Sequence, residues 1–359
     1  MKLRIGLVVV SLILSVLIGL TLSIGGRSSV GESLSSNTVP LIGLSMDTLK
    51  EARWQKDRVL FVKAAEEQGA KVLVQSANSD DIRQMRDVEA LLSNRVDVLV
   101  IVPHNARAMA KAVHLAHEAG IPVIAYDRII TDCDLDLYVS FDNVKVGEKQ
   151  AQYLIDHLPK GRKAHIVRIF GAKTDNNAFQ FKKGQDNVLK PYLDRGEIQI
   201  IHEDWAENWK PENAKKITNA AITVHGANFD AILASNDGTA GGAIQALLEE
   251  GLAGKIIVTG QDAELVACQR IAVGTQAMTI YKPIQKLATA AADLAVKLAK
   301  KRPLIARDAT NNGKIEVPSV LLEVITVTRN NLKSTVIADG FHSLADVYSN
   351  VPADQIPSQ

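Results

Sequence analysis

From residue 40 onward, short apolar runs alternate with segments of helical periodicity, and this alternation restricts the fold more than any other feature of the chain. Runs at 40–45, 71–75, 96–103, 122–126 and 135–141 are interleaved with helical segments at 53–68, 80–93 and 106–119. Ile82, Met85, Val88 and Leu92 mark one apolar helix face, and Gly69 and Gly120 mark helix ends. Such alternation predicts a parallel sheet covered by helices on both faces. A second series follows, with strands at 164–169, 198–202, 231–235, 255–259 and 277–281 and helices at 144–158, 178–193, 211–225, 239–250 and 263–271. The chain therefore holds two similar α/β units. Pro283 opens a long Ala-rich helix ending near Lys301, where the missing N–H of proline costs nothing. Residues 314–328 read as strand, and those after about Tyr348 as disordered.

With 359 residues, 47% of them hydrophobic, the chain can fill two cores. Lys and Arg number 41 against 40 Asp and Glu, a formal charge of +1, so no basic field exists to hold nucleic acid. Cys133 and Cys268 lie far apart without metal-ligand neighbours and read as unpaired. At the amino end, Lys2 and Arg4 precede residues 5–24, which carry no ionisable side chain. This run suits an export signal, with Ser23 and Gly25 small enough for cleavage, and equally a membrane anchor, being near bilayer length. In either case the basic end stays in the cytoplasm and the rest is extracytoplasmic. The absence of a cysteine after the run excludes a lipidated one, and the Gly- and Ser-rich residues 26–38 read as a flexible linker.

Polar side chains gather where the apolar runs end. Arg53-Trp54 opens the first helix, Pro103-His104-Asn105 closes the third run, and Asp127-Arg128 closes the fourth. In the second unit the corresponding places hold Thr174-Asp175-Asn176-Asn177, the segment from Trp205 to Trp209, Ser235-Asn236-Asp237, Gln261-Asp262 and Tyr281-Lys282. The carboxyl edge of a parallel sheet is where open α/β folds take ligands. Any one Asx residue here also suits a helix cap, but capping needs neither Trp nor Arg. Together the groups offer donors, acceptors and aromatic plates, a set suited to a sugar. No dinucleotide fingerprint, phosphate-binding loop, HExxH or Gly-x-Ser-x-Gly is present, so neither catalysis nor a cofactor is expected. The eight histidines are scattered; His114 and His117 read as a solvated helix face, and no metal site is assigned. Small residues at 238–242 suit close helix packing better than a phosphate cradle.

Several of these segments carry a resemblance to a known family. They are RWQKD at 53–57, VLVQSA at 72–77, AYDR at 125–128, SFDN at 140–143, DNNA at 175–178 and PENA at 211–214. ASND at 234–237, GGAIQAL at 241–247, GQDA at 260–263 and YKP at 281–283 continue the match. From about Leu41 to Phe341 the chain resembles the ribose-type periplasmic sugar-binding proteins, in particular the members that take D-xylose. The resemblance implies a type I periplasmic binding fold, two Rossmann-like parallel-sheet domains joined by a three-strand hinge that close on the sugar. It implies chain crossings near 141–143, 281–283 and 318–321. One lobe would then be 39–142 with 283–318 and the other 143–282 with 319–348, leaving 349–359 as a tail. By the same likeness Arg53, Arg128, Asp175, Asn177, Asn236, Asp262 and Lys282 are the hydrogen-bonding set, and Trp54 and Trp209 the stacking pair. The implied role is to bind D-xylose or a closely related monosaccharide without turnover and deliver it to an ABC permease, as a monomer if the leader is cleaved. The alternative is a membrane-anchored xylose sensor signalling to a histidine kinase. A transcription repressor with such a core would need a basic helix-turn-helix before the first strand, which residues 1–37 do not supply.

Overall fold

The computed structural model describes residues 39–356. The leader or anchor at 1–25, the linker at 26–38 and the last three tail residues lie outside the described residues. Among the described residues no helix is long and apolar enough to cross a membrane.

Five strands of the amino-terminal half pair in parallel: β1 (Leu41–Met46), β2 (Lys71–Ser76), β3 (Val98–Ile101), β4 (Val123–Tyr126) and β5 (Leu137–Phe141). Two strands from near the chain's end, β11 (Asp308–Asn311) and β12 (Glu316–Leu322), complete a sheet of order β2-β1-β3-β4-β5-β12-β11, with β11 alone antiparallel. Successive side chains of a strand point to opposite faces, and β3 shows the result. Val98 and Val100 join a core with helix α1 (Ala52–Glu66) and the Ala-rich α9 (Ile284–Ala299). Leu99 and Ile101 join another with α2 (Asp81–Ser93) and α3 (Ala110–Glu118). Being covered on both faces, β3 and β4 are buried throughout, which is why they read as unbroken apolar runs.

The second sheet is β7 (Ile198–Trp205), β6 (Ala164–Phe170), β8 (Ala231–Ala234) and β9 (Ile257–Val258) in that order, all parallel. Main-chain bonds from Ala277 to Val258 at 2.9 Å and from Ile280 to Gly260 at 3.2 Å bring β10 (Met278–Tyr281) alongside β9. Beyond it lies β13 (Ile325–Thr328), antiparallel to β10. One face carries α4 (Asn143–His157) and α5 (Asn176–Asp194), the other α6 (Pro211–His225) and α7 (Asp237–Glu249). Helix α8 (Leu265–Val273) and the short α10 (Leu344–Val347) share a further core with Leu332 and Val336. Where α4 meets α5, a Cβ on Gly147 would fall 2.0 Å from the Phe181 carbonyl oxygen and one on Gly184 2.0 Å from that of Val144. The two backbones touch through reciprocal glycines.

Four readings are corrected. The expected strand at 314–328 is two strands, because β12 stays in the first sheet as far as Leu322 while β13 pairs in the second lobe. The third passage between lobes is therefore at Glu323 and Val324 rather than 318–321, whose residues lie inside β12. The tail is ordered as far as residue 356: Gln269 donates to the Ser349 hydroxyl at 3.1 Å, and Val351 and Ile356 pack against the core of α8. Helix α3 also starts later than residue 106, because Asn105 Oδ1 accepts from the amides of Arg107 and Ala108 at 3.1 and 3.0 Å and closes a separate turn. Both cysteines are buried and unpaired.

Candidate functional site

The carboxyl ends of the strands in both sheets face a single cavity between the lobes. It is lined by all nine side chains singled out from the sequence: Arg53, Trp54, Arg128, Asp175, Asn177, Trp209, Asn236, Asp262 and Lys282. Helix α1 presents Arg53 and Trp54 from its first turn, and the end of β4 presents Asp127 and Arg128. Asp175 and Asn236 are the N-caps of α5 and α7, accepting from the amides of Asn177 and Thr239 at 2.9 and 2.8 Å. Capping thus places both residues without exhausting them; the Asn236 amide NH2 donates to no protein group among the described residues.

Three buried cations organise the walls. Arg53 gives each nitrogen to a different carboxylate: Nε to Asp57 at 3.3 Å, Nη1 to Asp262 at 3.1 Å and Nη2 to Asp127. Arg128 meets Asp47 at 2.6 Å and, across the cleft, Asp175 at 2.9 Å. Lys282, in the passage after β10, stands 3.6 Å from Asp262, with its ammonium 5.2 Å from the Phe181 ring centroid and 5.7 Å from that of Phe141. Both guanidiniums lie over the Trp54 ring, at 4.5 Å for Arg53 and 5.2 Å for Arg128. Trp54 is therefore a plate for the cations as well as a cavity wall. Trp209 donates its indole N–H to Asp175 at 3.1 Å, and its ring occupies the place where a Cβ on Gly171 would fall, 2.0 Å from Cη2. Asn177 bridges the lobes by donating to the Asp127 carbonyl at 3.1 Å while accepting from Asn143 at 3.0 Å.

The backbone is strained at these places. Asp127, Trp209 and Asp262 have φ of 63°, 57° and 95°, a region disfavoured for side chains with a Cβ. Such conformations cost roughly 1–3 kcal/mol each and persist where surrounding bonds impose them. Around Asp127 those bonds are visible: its carbonyl accepts from the hydroxyls of Tyr138 at 3.0 Å and Ser140 at 2.6 Å.

The charges are mixed and acid-rich. Arg53, Arg128 and Lys282 line the cavity together with Glu51, Asp127, Asp175, Asp262 and Glu264. Burial pushes Asp127 upward, but Arg53, Lys282 and Arg128 outweigh it and hold the carboxyl below its ordinary range. Burial raises Asp175 despite Arg128, and pushes Asp57 up to about 6. Burial, and then the charge of Asp262, push Glu264 up to about 7, and burial lowers Lys282. With the cations already matched by carboxylates, the wall repels an anion and suits a neutral ligand rich in hydroxyls.

Sequence reasoning left out some of the lining. Phe181 stands one helical turn beyond Asn177 on α5, so the i, i+4 spacing was the available signal. Asp127 and Gln261 were already among the polar strand ends, whereas Glu51 and Glu264 stand at helix starts, where acids are commonplace. Other strand-end residues face elsewhere: Trp205 packs between Phe170 and Phe179 at 4.8 and 4.7 Å, and His104 backs Asp47 at 2.9 Å.

Comparison with known proteins agrees with this architecture. Residues 42–303 match the family model described as a periplasmic binding protein domain. The chain belongs to the periplasmic binding proteins. Its relatives within that family include the D-xylose-binding periplasmic protein of Escherichia coli (strain K12), 50% identical, covering 85% of this chain and 92% of the relative. The namesake from Haemophilus influenzae is 46% identical, covering 91% of this chain and 98% of the relative. Among solved structures, a carbohydrate transporter solute binding protein from Chloroflexus aurantiacus in complex with D-glucose aligns with a TM-score of 0.81 at 35% identity, covering 86% and 98% of the two chains. The type I periplasmic binding fold expected from the sequence is the one observed.

Proposed function

We propose that this protein binds D-xylose between its lobes without chemical turnover and hands it to an ABC permease outside the cytoplasm. The observation that carries this reading is the pairing of every buried cation with carboxylates around a cavity of aromatic plates and amides, an arrangement for a neutral polyol rather than a phosphorylated or acidic one. Xylose among the sugars is supported by the likeness to the two D-xylose-binding relatives, and a transport role by the likeness to the carbohydrate transporter solute binding protein. In this reading Arg128, Asp175, Asn177, Asn236, Asp262 and Lys282 contact hydroxyls, Arg53 fixes the carboxylates that do so, and Trp54, Phe181 and Trp209 face the C–H surfaces of the ring.

Calorimetric titration with D-xylose, D-ribose, D-glucose and L-arabinose tests it. Binding tightest for xylose, with the sugar recovered unchanged, is the expected result; no heat with xylose, or equal affinity for all four, overturns it. Arg128→Ala is expected to weaken xylose binding by about ten-fold or more, the scale of a hydrogen bond to a charged group.

A further inference from the structure

Two acceptors in the cavity wall have no protein donor. Gln261 Oε1 and Glu51 Oε2 are both closed to solvent, and neither has a hydrogen-bond partner among the described residues. They come from opposite lobes, Glu51 from the turn before α1 and Gln261 from the segment after β9, and both line the cavity. Gln261 is 3% exposed, and its amide nitrogen leans on Asp262 Oδ2 at 3.5 Å. Only the NH2 end can face a carboxylate, so the oxygen is the end left over. Glu51 occupies the N-cap position of α1, yet its side chain makes no capping bond there. Its carboxylate stands near enough to Glu264 of the opposite lobe for the two charges to interact. Two buried acceptors without donors are costly in a wall where nearly every other polar group is matched. A ligand rich in O–H groups supplies what the chain does not.

We propose that Glu51 and Gln261 each accept a hydrogen bond from a sugar hydroxyl, one from each lobe, and so help decide which hydroxyl configuration the cleft takes. This rests on the reading of the cavity as a monosaccharide site. A sugar lacking the matching hydroxyl, or carrying it in the other configuration, leaves a buried acceptor unpaired, and sites built in this way reject such analogues strongly.

The test is calorimetric titration of the wild type, Glu51→Met and Gln261→Met with D-xylose and its monodeoxy derivatives, with melting of the sugar-free proteins as a check on folding. Xylose affinity is expected to fall roughly five- to ten-fold for Gln261→Met and about ten-fold or more for Glu51→Met. In each variant, the penalty that the wild type shows for one particular deoxy position disappears. A purely structural role would weaken every sugar alike, and that result overturns the proposal. So do variants that bind the whole series as the wild type does, which would mean that water satisfies the two acceptors. Should a Met variant fail to fold, Glu51→Gln and Gln261→Asn, which stay polar but withdraw or shift the oxygen, carry the same test. A wild-type chain that does not bind xylose overturns the functional reading itself, and this proposal with it; normal wild-type binding with unaltered variants overturns this proposal alone.

Discussion

Glu264 shows how a single side chain ties the cavity to pH. Burial and Asp262 hold its carboxyl near about 7, against an ordinary 4.5. Across that interval the folded chain keeps a proton that the unfolded chain releases, so stability falls as pH rises from about 4.5 to about 7 and levels above it. Glu264→Gln is expected to reduce the drop in melting temperature between pH 5 and pH 8. It does not abolish the drop, because Asp57, raised to about 6, acts in the same direction. A slope identical to the wild type's would show that Glu264 does not carry it. The residues legible in the sequence were those whose chemistry was out of place locally: Arg53 and Arg128 at the ends of apolar elements, and Trp209 in a loop. Phe181 was not legible, since an aromatic residue at helical spacing looks like core, and its role depends on α5 pointing at the other lobe. Glu51 and Glu264 were hidden for the opposite reason, because acids at helix starts are commonplace.

At the level of elements, period and punctuation located the strands and helices of both units. What they missed depended on pairing partners distant in sequence. Residues 316–328 are one half-apolar run in sequence but serve two sheets, and nothing in the run itself says that β12 joins β5 while β13 joins β10. The edge strand β11, with three of its four residues exposed, carries no apolar pattern at all. The contact between α4 and α5 rests on Gly147 and Gly184, and it sets the position of the helix that bears Asn177 and Phe181. Gly147→Ala would place a methyl carbon against a main-chain carbonyl that no rotamer change can move. It is expected to destabilise the protein by roughly 1–3 kcal/mol despite the better helix propensity of alanine, with a loss of sugar affinity as α5 shifts. Denaturant unfolding and calorimetry on the same sample check both; unchanged stability would mean that the helices part without cost.

Across the whole molecule, the lobes meet through Arg53 and Asp262, Arg128 and Asp175, and a main-chain bond from Ala106 to Thr174 at 3.0 Å. A sugar touching both walls favours the arrangement in which they are close, so saturating xylose is expected to lower the radius of gyration in small-angle scattering, and an identical profile would count against closure on the ligand. The return of the chain to its first sheet bears on how the protein is made. Strands β11 and β12 and helix α9, which cover and extend the amino-terminal sheet, come from residues 284–322, while everything from Asn143 to Tyr281 builds the other lobe. A nascent chain emerging from its amino end thus carries a sheet with one face only part-covered, by α1, and one edge unpaired until β12 has been synthesised. Loop closure across some 150 residues makes that step slow. Late completion of this kind leaves the first lobe open while the second is made, so the order in which the two lobes share the chain couples the folding of one to the synthesis of the other.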